Sequence, residues 1–201
     1  MSYLSLGLLA ALCCVFAASA WSKLRSRAAQ QAFAESLRPV PLVPAGHLTG
    51  VAMAATVAES GLVAGLAAAA VAVTGGWPPA RPLAMAVLAL TGALLAVFTT
   101  GVALAVRRGT GARCACFGAA ERPLSARHLV RNGLLLAAAG TAALGIAMTR
   151  TQPPDLAGTA VALTTGAVCG LLVIRLDDLV DLFTPPPARR PAARPGQDRR
   201  A

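Results

Sequence analysis

Residues 83–106 read LAMAVLALTGALLAVFTTGVALAV, 24 residues without a charged group or a proline. A helix needs about 20 apolar residues to cross the hydrocarbon core of a bilayer. The run does not alternate polar and apolar residues as a membrane-barrel strand does. In lipid the backbone must satisfy its own hydrogen bonds, so helix is the remaining choice. Four further segments read the same way: about Tyr3 to Ala20, about His47 to Thr74, about Leu129 to Met148 and about Leu156 to Ile174. The sequence therefore predicts an all-α, polytopic bundle of five transmembrane helices over residues 1–183, in one domain.

Composition agrees. Apolar residues make up 56% of the chain and charged residues only 13%, where a soluble domain carries about a quarter charged. Alanine, leucine, valine and glycine dominate, and small residues let helix backbones approach closely. The net charge of +10 would suggest nucleic acid in a soluble protein. Here the basic residues sit between apolar runs and in the tail, with no interleaved aromatics, so the bilayer and not nucleic acid is the expected partner.

The first apolar run ends in Ala18-Ser19-Ala20, which resembles a signal-peptide cleavage site. No Lys or Arg precedes it, and a signal peptide needs a positive start, so a retained helix is expected. Trp77-Pro78-Pro79 and Pro153-Pro154 break helices and mark turns. Leu176, Leu179, Val180 and Phe183 fall at helical spacing and predict an amphipathic extension at the interface. Residues 184–201, rich in Pro and Arg, are expected to be a disordered basic tail.

The five runs leave connections whose basic residues alternate. Connections on one side of the membrane hold 16 Lys and Arg, and those on the other hold 2. The positive-inside rule then predicts a multi-pass protein of the plasma membrane with its amino terminus outside and its tail in the cytoplasm.

Cys114-Ala115-Cys116-Phe117-Gly118 falls in one of the basic connections. Two thiols two residues apart would close a very small and strained disulfide ring, better suited to exchange than to stapling. Arg113 and Arg122 favour the thiolate, the reactive form. Inert loop cysteines are the alternative. A metal set of His47, His128, Cys114 and Cys116 matches no standard spacing, so no metal is predicted. Cys13, Cys14 and Cys169 read as packing residues inside helices.

Glu59 is the only acid in the second apolar run. Counted from the start of its own helix it lies near mid-membrane, with no cation at matching depth. A proton or quinone role and a hydrogen bond to Ser60, Thr56 or another helix are the two readings. Lys23 and Trp21 read as interfacial anchors at the end of the first helix. Arg131-Asn132 reads as an interfacial helix start.

Together these pieces resemble the MauE family, the methylamine-utilisation membrane proteins related to the DoxX group. The resemblance lies in Ala17-Ala18-Ser19-Ala20-Trp21-Ser22-Lys23-Leu24, in Val57-Ala58-Glu59-Ser60-Gly61-Leu62, and in Cys114-Ala115-Cys116-Phe117-Gly118 followed by Arg131-Asn132-Gly133. It spans about residues 10–140, and the Cys-x-Cys-Phe-Gly piece is its most specific part. It implies a redox-associated membrane protein that assists disulfide chemistry in the maturation of an exported protein, as in methylamine dehydrogenase maturation. A thioredoxin-like protein and an exported client are the implied partners. Carried over, Cys114 and Cys116 are the redox pair, and Lys23, Glu59, Phe117, Gly118 and Asn132 are motif residues without an assigned role. No cofactor is predicted. A structural or assembly subunit without redox chemistry, and a quinone-linked oxidoreductase, stand as the alternative functions.

One tension follows. Disulfide chemistry on an exported client expects the thiols on the oxidising side, whereas the charge split puts their connection in the cytoplasm. Either electrons pass across the membrane from a cytoplasmic donor, or the thiols are reached from the other face.

Overall fold

A computed structural model describes residues 3–38, 43–108, 126–148 and 155–183. The described residues form seven α-helices: α1 Tyr3–Leu24, α2 Arg27–Ser36, α3 Leu48–Thr74, α4 Ala80–Arg107, α5 Ala126–Met148, α6 Leu156–Ile174 and α7 Leu176–Phe183. There is no strand among them. The five expected spans are α1, α3, α4, α5 and α6, each long and apolar enough to cross a membrane.

The element boundaries differ from the apolar runs for physical reasons. The helix α1 continues past Ala20 to Leu24 because Lys23 is buried and still belongs to the packed face. The helix α4 begins at Ala80, before Pro82; proline is tolerated in a first turn, where no amide is needed for the ladder. The helix α5 begins at Ala126, so Arg127, His128, Arg131 and Asn132 all lie within it. The turn expected at Trp77-Pro78-Pro79 is present. It opens with Gly75 and with Gly76, whose φ of 64° lies where glycine is favoured, and the Trp77 amide donates to Ala72 at 3.0 Å.

The helix α2 was not legible as an element. Ser26 caps it, its hydroxyl accepting from the Ala29 amide at 3.1 Å. Phe33 and Ala34 pack against Ala52 of α3. The expected amphipathic extension is α7, which follows α6 at Arg175.

Helix α1 is the centre of the bundle, with α3, α5 and α6 against it, while α4 joins α3 to α5. Leu9, Leu12, Val15 and Phe16 of α1 meet Leu62 and Leu66 of α3, Leu88 and Leu95 of α4, and Leu135 and Ile146 of α5 in one core. The α1–α6 seam is made of small residues. A Cβ added at Gly166 would lie 2.0 Å from the Gly7 carbonyl oxygen, and one at Gly170 would lie 2.9 Å from that of Ala11. Backbones this close are what small residues permit. At the far end of the same seam Asp155 caps α6, accepting from the Gly158 amide at 2.7 Å and from the Tyr3 hydroxyl.

Candidate functional site

Lys23 is turned inward. It is 1% exposed, and Glu59 is equally buried. The Lys23 ammonium donates to Glu59 Oε2 at 2.8 Å and Oε1 at 3.0 Å, and to the Ser19 hydroxyl at 2.7 Å and carbonyl at 3.2 Å. The Phe33 ring of α2 covers it, with the nitrogen 4.7 Å from the ring centroid. An ammonium has three protons, and the surroundings offer acceptors for all of them. Removing one member of such a pair costs about 3–5 kcal/mol, because the other charge is left buried alone.

Two expectations are corrected by this geometry. Lys23 is not an interfacial anchor, although Trp21 beside it is exposed. Glu59 does have a cation at its level, and its partners are neither Ser60 nor Thr56. The Ser60 hydroxyl donates to the Thr56 carbonyl at 2.9 Å, and the Thr56 hydroxyl donates to the Ala52 carbonyl at 2.9 Å and meets the Gln30 amide at 3.2 Å. The error came from measuring depth along one helix. Glu59 lies eleven residues into α3, about 16 Å from its start. Those first turns run past the end of α1, where α2 packs on them. Glu59 is therefore level with Lys23, one residue before α1 ends.

Beside the pair is a cavity of about 50 Å³. Four helices supply its walls. Ser19 comes from α1, Glu59 from α3, and His128, Arg131 and Asn132 from α5; Phe16, Leu95 and Phe98 are among the apolar walls. Arg131 is 6% exposed, so it is not the interfacial residue expected from sequence. Asn132 joins Lys23 and Glu59 in one place, as three of the motif residues. Each lies on an element whose end is the same end of the bundle: α1 finishes there, α3 begins, α4 finishes and α5 begins.

Cys114, Cys116, Phe117 and Gly118 lie outside the described residues, as do the Pro153-Pro154 turn and the tail from residue 184. His47 is exposed at the start of α3, whereas His128 is half-buried on α5. No group of three or more His, Cys, Asp or Glu among the described residues could hold a metal. Cys13 is half-buried, its thiol donating to the Val63 carbonyl at 3.8 Å, while Cys169 is exposed on α6 rather than packed.

His128 entered the sequence reading only as a metal candidate, and Phe33 and Gln30 did not enter it. The available signal for the last two was Ser26 before a run whose Phe33 and Ala34 share a face. The signal for Lys23 was its spacing of four from Ser19, which places both on one helix face.

No curated protein and no solved structure matched the chain. The family described as "Methylamine utilisation protein MauE" matches residues 1–148, which takes in α1 to α5, the buried pair, the whole cavity lining and the Cys114–Cys116 connection. With that share of its length covered, this five-span helical membrane chain belongs to the MauE family.

Proposed function

We propose that this protein assists thiol–disulfide exchange during maturation of an exported protein, with Cys114 and Cys116 as the exchanging pair. The observation that carries the reading is where their connection is anchored. It leaves α4 at Arg108 and returns at Ala126, at the bundle end where His128, Arg131 and Asn132 share a cavity with Glu59. A reactive cysteine needs a nearby cationic setting to be a thiolate, and the first turns of α5 supply Arg127 and Arg131. Exchange proceeds by attack of a thiolate on a disulfide sulfur through a mixed disulfide. The client is an exported protein, methylamine dehydrogenase in the family's named process, and the partner that renews the pair is thioredoxin-like. The excess of Lys and Arg in alternate connections supports a plasma-membrane protein with this end in the cytoplasm, so the thioredoxin-like partner meets the pair from that side and electrons cross the membrane between the pair and the exported client.

A quinone ring does not fit the cavity as it stands. A cavity of about 150 Å³ is what holds a benzene ring, three times the space here. A second reading is favoured by the completeness of the Lys23 setting: the ion pair locks α1, α2 and α3 together and serves assembly. The test is to combine Cys114→Ser or Cys116→Ser with an assay of client maturation. The exchange reading expects each to abolish maturation in a protein that still folds. Retained maturation in both variants leaves the assembly reading.

A further inference from the structure

Along the α1–α6 seam lies a groove of about 450 Å³. Tyr3, Leu8 and Ala11 of α1 form one wall, and Gly158, Thr165 and Cys169 of α6 form the other. Its floor is where Gly7 and Gly166 bring the two backbones together. Leu4 and Val161, which also line it, are exposed, so the groove opens outward rather than into the bundle. Helix α6 leans chiefly on α1, and none of the other spans lines this groove. The groove runs about 12 Å along α1, from Tyr3 to Ala11, and about 16 Å along α6, from Gly158 to Cys169. Half of a hydrocarbon core is about 15 Å, so the groove has the depth of one leaflet. Its volume agrees. A cavity of about 150 Å³ holds the six carbons of benzene, so three times that volume holds about 18 carbons, the size of one acyl chain.

The outer end of the groove is polar. Tyr3 closes it, with its ring against Gly158 and its hydroxyl donating to Asp155. Tyrosine is favoured at headgroup level. Asp155 is exposed there, and a carboxylate is negative at neutral pH. One of its oxygens accepts from the Gly158 amide and the other from Tyr3. A carboxylate has about four acceptor positions, so capacity remains for an ammonium group, whereas an anionic headgroup would be repelled. We propose that this groove binds one acyl chain of a phosphatidylethanolamine molecule, with the headgroup ammonium beside Asp155. The chain fills the open side of the seam and completes the packing of α6. The inference is independent of the exchange reading, since α6 lies beyond residues 1–148 and no thiol takes part.

The experiment uses the full chain in lipid vesicles that carry a trace of phosphatidylethanolamine or phosphatidylglycerol with a diazirine midway along one acyl chain. After irradiation the labelled residues are mapped by mass spectrometry. Labelling by the ethanolamine lipid is expected to concentrate at Leu8, Ala11 and Thr165, above Leu134 and Leu144 of α5, which are exposed but line no groove with α6. Ala11→Phe and Thr165→Phe fill the groove from its two walls, and each is expected to bring labelling of the opposite wall down to the α5 level. Val168→Phe, exposed on α6 but outside the lining, is expected to leave it unchanged. Asp155→Asn is expected to remove the preference for ethanolamine over glycerol headgroups. Labelling of the folded parent spread evenly over α4, α5 and α6 overturns the inference, since it shows bulk lipid only. Equal labelling of the groove by the two headgroups overturns it too. A groove left unlabelled in a protein that runs as a dimer shows a second copy as the occupant, which also overturns it.

Discussion

The two ends of the bundle handle polar groups in opposite ways. At the end where α1 finishes and α5 begins, Lys23, Glu59, Ser19 and Arg131 are all buried, and Lys23 meets Glu59 and Ser19 side chain to side chain. At the other end the polar contacts are exposed. Asp155 caps its own helix and meets Tyr3, Arg81 donates to the Ala147 carbonyl, and a two-glycine turn joins α3 to α4. The second end shows what closing helices requires: caps and turns. The first holds more than closure needs, since buried charges cost free energy that apolar residues would not. An arrangement that is expensive and unnecessary for folding points to function.

The sharpest way to break this comparison is to remove the charges. Lys23→Ala or Glu59→Leu alone is expected to destabilise the bundle by about 3–5 kcal/mol, through the orphaned partner. The double variant Lys23→Met, Glu59→Leu is expected to recover most of that loss while losing activity. Denaturant unfolding in detergent alongside client maturation checks both parts. A double variant as active as the parent would reduce the pair to a packing device.

A change in the seam between the two ends comes next. Gly166→Leu forces α6 off α1, because the added Cβ meets the Gly7 carbonyl. Overpacking of this kind costs about 1–3 kcal/mol, and easier proteolysis of α6 is the readout. Gly166 also lies beyond residues 1–148, the part shared with the family. Loss of α6 packing is therefore expected to spare the Lys23–Glu59 contact.

At the exposed end the effects are smaller. Gly76→Ala places a side chain at a φ of 64°, costing about 1 kcal/mol, which a thermal melt detects. Asp155 gives the smallest effect. The Gly158 amide first, and then the Tyr3 hydroxyl, hold its carboxyl below the usual carboxylate range. A lowered value means that the ionised cap stabilises α6 above the ordinary carboxylate pKa of about 4. That contribution is lost as pH falls through the lowered value. Hydrogen-exchange protection at the start of α6, taken relative to the intrinsic rate at each pH, is expected to fall on acidification in the parent and to lose that pH dependence in Asp155→Asn.

The five spans were legible because each is a long uncharged run, and nothing but helix satisfies a backbone in lipid. Close packing was legible in the same letters, and Gly7 against Gly166 is its clearest instance. The Glu59–Lys23 contact was not. It depends on how far α3 overruns α1 at the place where α2 packs, and α2 is short and hidden in what reads as a linker. Its Phe33, between Ala32 and Ala34, covers the ammonium. Arg131 and Lys23 were read as anchors because basic residues near span ends usually reach the interface. The direction a side chain takes is decided by neighbouring helices, which one helix's sequence does not display. The family resemblance did single out Lys23, Glu59 and Asn132, and the structure brings these three to one end of the bundle.

The most direct test of the account is to trap the intermediate it requires. Cys116→Ser and Cys114→Ser proteins are recovered from intact cells after acid quenching, separated without reductant and analysed for cross-linked species. The account predicts that at least one single-cysteine variant carries a partner polypeptide, released by reductant and identified by mass spectrometry through a disulfide to Cys114 or Cys116. Two variants free of any mixed disulfide, in cells whose client matures normally, would contradict it.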